Sequence, residues 1–188
     1  FWQYQINASQ LEQQQRQQYT QHQQTINMLN KVTAAQIKLL QKQLLLVAQR
    51  PVLSAVLASE DAMQIANQQQ ALHEIFPRAK SICLIGAEVD NVDKNACIPI
   101  TYAALESLRQ AKKEGSSSIA LLQAGTEDAH LLLAQRITDQ EHNIVGVLVL
   151  TFSPDVVTNL LFTDEQVGGY AELLQGTKNG VVLASQGN

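Results

Sequence analysis

Aromatic residues make up only 5% of this chain, too few for a platform that stacks bases. Positive charge is short as well. Thirteen Lys and Arg stand against seventeen Asp and Glu, a formal net charge of −4 with a pI near 5.5. Nothing in that balance favours nucleic acid or anionic lipid as a partner. No apolar run approaches the roughly 20 residues a membrane helix needs. There is no Gly-rich phosphate loop, no G-x-S-x-G elbow and no His-Glu-x-x-His pair, so no catalytic residue is assigned and no cofactor is expected. His22, His73, His130 and His142 show no metal-ligand spacing, and no metal site is expected.

Cysteine is limited to Cys83 and Cys97. In an oxidising compartment the two would pair, closing a short loop worth roughly 3 kcal/mol by chain entropy. The alternative is one buried strand thiol and one unrelated loop thiol. Neither carries a nucleophile signature.

Proline and glycine are absent from Trp2 to Gln49. That stretch opens on "QLEQQQRQQYTQHQQ" and becomes apolar later. Ile26, Leu29, Thr33, Ile37, Leu40, Leu44 and Val47 follow three- and four-residue steps, one stripe of a helix. Glutamine is a fair helix former, so the spacing predicts one rod of roughly 70 Å at 1.5 Å per residue; a disordered Gln tract is the competing reading. Its upper half has little apolar surface, which predicts pairing with a second copy. The chain opens on Phe1 without Met, as an excised piece of a longer polypeptide would. Phe1, Trp2 and Tyr4 fit either an aromatic belt at the exit of an upstream membrane helix or a frayed helix start.

Beyond Pro51 the pattern changes, which sets expected domains of 1–50 and 51–188. "PVLSAVLAS" reads as a short helix. Ser59 is the expected N-cap of a third helix from Glu60 to about Ile75, ended by Pro77. "KSICLIG" reads as a strand. Thr101 caps a helix over "YAALESLRQAKKEG", whose Lys112, Lys113 and Gly115 suit a C-terminus. "SSIALLQAG", "AHLLLAQRI" and "IVGVLVLTF" read as successive antiparallel strands, with the polar turn Thr138–Asn143 before the last. Pro154 opens a helix to about Phe162, and "YAELLQG" with "GVVLASQ" makes a closing hairpin.

The Ile144–Phe152 strand has no polar face. Val145, Val147, Val149 and Thr151 point one way; Leu148, Leu150 and Phe152 point the other. A strand of this kind must be covered on both sides. The order of elements gives an α+β fold: a long N-terminal helix packed on an antiparallel sheet, with helices on both faces.

"RITDQEHNIVGVLVLTFSPDVVTNLL" resembles the closing hairpin of Cache domains, the extracytoplasmic relatives of PAS domains. "RPVLSAVLASEDAMQIANQQQALHEIFPRAKSICLI", "IPITYAALESLRQAKKEG" and "YAELLQGTKNGVVLASQGN" extend the likeness. They are similar to the N-terminal extracytoplasmic region of long proteobacterial phosphomannomutase/phosphoglucomutase proteins, over roughly Gln43 to Asn188. The resemblance implies a non-catalytic periplasmic sensory or regulatory domain. It would act as a homodimer through the N-terminal helix and reach an inner membrane through segments outside this chain. The mutase would follow Asn188, since none of its motifs is present here. A chemoreceptor, histidine kinase or cyclic-dinucleotide enzyme is the alternative output, and a ligand-free assembly module or a redox switch are further alternatives. The Tyr, Arg and Asp arrangement of amino-acid-sensing Cache members is missing. A small-molecule pocket between the sheet and the Tyr102 helix would draw on Tyr102 for a hydroxyl, His130 for a donor and Arg136 for a bidentate clamp on a carboxylate or phosphate.

Overall fold

A computed structural model describes residues 2–93, 96–158, 170–175 and 181–187. The chain divides into two compact units, Phe1–Gln36 and Ile37–Asn188. Helix α1 runs from Trp2 to Ala48, Gln-rich segment included. Ile26 is 49% exposed, so the apolar stripe on α1 does not begin burying there. From Ile37 onward α1 belongs to the larger unit, where Leu44, Val47 and Ala48 enter the core.

Two further helices follow, α2 (Pro51–Ser59) and α3 (Ala62–Ile75). Ser59 does not cap α3. It is the last residue of α2, with its hydroxyl donating to the Val56 carbonyl. Glu60 then turns left-handed at φ 54, and the cap passes to Asp61. Its Oδ1 accepts from the Met63 and Gln64 amides at 2.8 and 3.3 Å. The carboxylate satisfies two orphan N–H groups, and its charge meets the positive end of the helix dipole.

Strand β1 (Ser81–Gly86), helix α4 (Tyr102–Glu114) and strands β2 (Ala120–Leu122), β3 (His130–Thr138) and β4 (Ile144–Phe152) complete the central layer. The sheet is antiparallel in the order β1-β4-β3-β2. The second strand, expected from "SSIALLQAG", contracts to three residues, because Gln123 takes a positive φ of 54 and ends the pairing. Beyond β4, a short helix α5 is described over Asp155–Thr158; the rest of the helix expected to reach Phe162 lies outside the described residues. Strands β5 (Tyr170–Gln175) and β6 (Val181–Gly187) pair with each other as a separate two-stranded sheet. Their connecting turn lies outside the described residues.

The alternation along each strand sorts the core into two layers. Ile82 and Leu84, Leu131, Leu133 and Ile137, and Leu148, Leu150 and Phe152 face the end of α1 with α2 and α3. Cys83 and Ile85, Leu132 and Ala134, and Val147 and Val149 face α4 and the residues leading into it. β4 is therefore the covered central strand that its two apolar faces demand.

The β3–β4 turn is built around Asp139. Its Oδ1 accepts from the Glu141 and Asn143 amides at 2.9 and 2.8 Å, and its Oδ2 from the Asn143 side chain at 3.0 Å. The Asn143 side-chain bond is the largest influence holding the Asp139 carboxyl below its ordinary 3.8, with the two backbone bonds adding to it. Asp61 is lowered in the same way, chiefly by the Gln64 and Met63 amides. A carboxyl whose folded pKa is depressed contributes stability above its unfolded pKa and loses it as pH falls through the folded one. Thermal melts should thus be flat near neutrality and fall as pH drops below about 4. Asp139→Ala should show a shallower acid dependence than the parent, and identical slopes would remove Asp139 from that account.

Candidate functional site

The face of the sheet under α4 gathers most of the interior polar chemistry. On β3, His130, Leu132, Ala134 and Arg136 share that face by strand periodicity, and Leu132 and Ala134 pack in the α4 layer. α4 starts where the Thr101 hydroxyl accepts from the Ala104 amide at 3.3 Å. It stops at Gly115, whose φ of 98 suits a residue without Cβ. Its apolar side (Ala104, Leu105, Leu108, Ala111) is buried.

Two cations on α4 hold the chain leaving β1. Lys112 Nζ donates to the carbonyls of Ala87 and Val89 at 2.6 and 2.7 Å. Arg109 Nε meets Asp90 Oδ1 at 2.9 Å, with both side chains more than half exposed. That hydrogen bond, then its charge, lowers the Asp90 carboxyl and raises the Arg109 guanidinium. An exposed pair of this kind adds little stability, so its role is positional. Their spacing of three places both side chains on one helical face, a signal present in the sequence that reasoning from Tyr102 alone passes over.

Arg136 lies at the other end of the same helix. Its Nη1 donates to the Lys112 carbonyl at 3.0 Å. The adjoining Gln135 Nε2 and Arg136 amide both donate to the Gly115 carbonyl, at 2.6 and 2.8 Å. A guanidinium there satisfies a carbonyl that α4 leaves without an intrahelical partner and meets the negative end of its dipole. Ser117 continues the seam: its hydroxyl accepts from the Ala134 amide at 2.9 Å.

The three side chains expected to line a pocket do not converge. Tyr102 is the first residue of α4 and is 84% exposed. His130 is buried, its Nδ1 2.7 Å from the Asp128 carbonyl; a carbonyl only accepts, so this nitrogen carries the proton. Arg136 stands six residues along β3 from His130, about 20 Å at strand rise. Tyr102 and Arg136 lie near opposite ends of α4, roughly 18 Å apart along its axis. Strand periodicity gave the shared face of His130 and Arg136, and the same strand rise already sets them too far apart to share one small ligand.

Cys83 and Cys97, 14 residues apart, are joined by a disulfide. Cys83 is buried under α4 while Cys97 is exposed. The bridge ties β1 to the segment that runs into the Thr101 cap. No group of three His, Cys, Asp or Glu able to hold a metal occurs among the described residues, and no helix among them is long and apolar enough to cross a membrane.

With this geometry, the molecule is similar in fold to several solved bacterial domains. The periplasmic domain of LuxQ from Vibrio cholerae matches at 14% identity with a TM-score of 0.52, over 86% of this chain and 77% of that one. The fold is Cache-like. The Escherichia coli DcuS sensor domain aligns with 14% identity and a TM-score of 0.49, over 71% of this chain and 97% of that one. The ligand-binding domain of the Campylobacter jejuni chemoreceptor Tlp3, in complex with 4-methylisoleucine, aligns with 16% identity and a TM-score of 0.48 over 84% and 66%. No family model and no curated protein sequence matches the chain. At these identities the likeness is one of fold.

Proposed function

We propose that the chain is a non-catalytic periplasmic sensory domain of a membrane-anchored bacterial protein. One observation carries the reading: a Cache-like sheet whose central strand is sandwiched between α4 on one face and α1 to α3 on the other. A ligand seated on the α4 side would change how α4 packs on the sheet and shift the balance between two packings of the domain. A single small ligand would not span from Arg136 to either Tyr102 or His130. Arg136 is the best placed for a carboxylate or phosphate: its guanidinium has five donors, one of them spent on the Lys112 carbonyl. The parent would be a phosphomannomutase/phosphoglucomutase. That finer reading rests only on the resemblance read from the segments between Gln43 and Asn188, and is tested by the coding sequence after Asn188, where mutase motifs are expected.

A thermal-shift screen against sugars, sugar phosphates, organic acids and amino acids tests the sensory reading. A ligand at 100 times its dissociation constant adds about 2.7 kcal/mol, a rise of roughly 5–11 °C for a domain of this size. A hit whose shift is lost in Arg136→Ala would place the site at the end of α4. Silence across the panel would sink the sensory reading in favour of an assembly module, which the exposed Leu39, Leu45 and Leu46 on α1 support as a surface for a second copy.

A further inference from the structure

We infer that the Cys83–Cys97 bridge is a thiol–disulfide exchange site, open at Cys97 to a dithiol reductant and acting on the segment that leads into α4. The inference goes beyond the sensory reading, because it requires no small-molecule ligand. The two sulfurs differ in access. Cys83 is 1% exposed, packed in the layer with Ala104, Leu105 and Leu108, whereas Cys97 is on the surface. Exchange needs a thiolate to reach one of the two sulfurs, and of the two residues only Cys97 is exposed.

The reaction balances with the dithiol alone. Its thiolate bonds to Cys97 Sγ, the S–S bond breaks, and the electron pair leaves on Cys83 Sγ, which takes a proton from water. The reductant's second thiol, deprotonated, attacks its own sulfur in the mixed disulfide, and Cys97 departs and is protonated. The bridge gains two electrons and the dithiol becomes a disulfide.

The surroundings confine the effect. β1 keeps its full pairing with β4 from Ser81 to Gly86, and a reduced Cys83 remains a small apolar residue in the core. The start of the connecting segment stays fixed by Lys112 on Ala87 and Val89 and by Arg109 on Asp90. Among the described residues, the contacts past Cys97 include the Asp93–Ile100 bridge and the burial of Ile98 and Ile100. Loosening therefore concentrates on residues 96–100 and on the Thr101 cap that starts α4.

The test uses the whole chain with dithiothreitol as the dithiol, at neutral pH without denaturant. Iodoacetamide is added to the native protein, then a second alkylating reagent after unfolding, and peptides are read by mass spectrometry. Expected are iodoacetamide on Cys97 at least ten times faster than on Cys83, amide exchange at least tenfold faster over Ile98–Leu105, and unchanged exchange in β1 and β4. Reoxidation should restore the original pattern. A bridge reduced only when the domain melts, two cysteines alkylated together, or unchanged exchange over Ile98–Leu105 would each overturn the inference. Cys97→Ser should reproduce the reduced exchange pattern without reductant; a Cys97→Ser chain that fails to fold would show the bridge to be structural, and overturn it equally.

Discussion

Replacing Gly146 with alanine is expected to destabilise the domain by about 3 kcal/mol or more, lowering the melting temperature by roughly 6–12 °C. Gly146 sits in β4, between Gly86 on β1 and Ile137 on β3. A Cβ built on it collides with the Ile85 carbonyl oxygen and comes within 2.7 Å of Leu57 Cδ1. The leucine methyl can rotate aside; the carbonyl belongs to the neighbouring strand and moves only if the β1–β4 ladder opens. Overpacking of this kind is relieved by shifting backbone, and a closely packed interior transmits the shift. Its cross-strand partner is the control. Nothing lies within 4 Å of a Cβ on Gly86, so Gly86→Ala should be neutral or stabilise by a few tenths of a kcal/mol through the unfolded chain. Equal melting temperatures for the two variants would show that β1 yields at Ile85.

Leu44→Asp should unfold the larger unit or cost more than about 4 kcal/mol, since it buries an unpaired carboxylate in an apolar layer. Leu44 is fully buried with Val47, Ala48, Leu53 and Leu72, although it belongs to the long N-terminal helix. Two residues on, Leu46 is 58% exposed. Leu46→Asp should leave monomer stability within about 0.5 kcal/mol. It should also lower the oligomer size, measured by sedimentation, if α1 pairs with a second copy. Unchanged melting in Leu44→Asp would mean that the last turns of α1 do not hold the sheet. Sedimentation unaffected by Leu46→Asp would remove that face of α1 from any dimer.

Much of the fold was legible because its signals are local. The unbroken apolar alternation from Val145 to Phe152 demands cover on two sides, and both layers are there. The Thr101 hydroxyl and the missing Cβ of Gly115 bracket α4 as predicted. Less local features escaped. Ser59 and Asp61 are both competent caps two residues apart, and the left-handed Glu60 decides between them. A strand's pattern gives its face and not its neighbour in the sheet, so the adjacency of β1 to β4 does not follow from sequence; the β5–β6 hairpin does, but not that it pairs only with itself among the described strands. The ligand residues fared similarly. Tyr102, His130 and Arg136 are each on or beside α4 or its sheet face, yet their separations depend on where along α4 and β3 each one falls. The contacts of Lys112 and Arg109 with residues 87–90 depend on the path of a connecting loop, which carries no periodicity to read.

The pairing of β1 with β4 also sets an order of events in the newborn chain. β1 is complete at Gly86, but its only sheet neighbour among the described strands begins at Ile144. Ribosomes add roughly 5–20 residues per second, so the intervening stretch takes roughly 3–12 s to make. Through that interval "SICLIG" is an apolar strand with nothing to pair with, and any contact it makes is with something other than its native neighbour. The hairpin of β3 and β4 must then capture it across a long loop, a closure whose entropy slows folding more than it weakens the product. A nascent chain arrested just short of Ile144 should therefore be far stickier than one released after Phe152, and a holdase would find its substrate in that window.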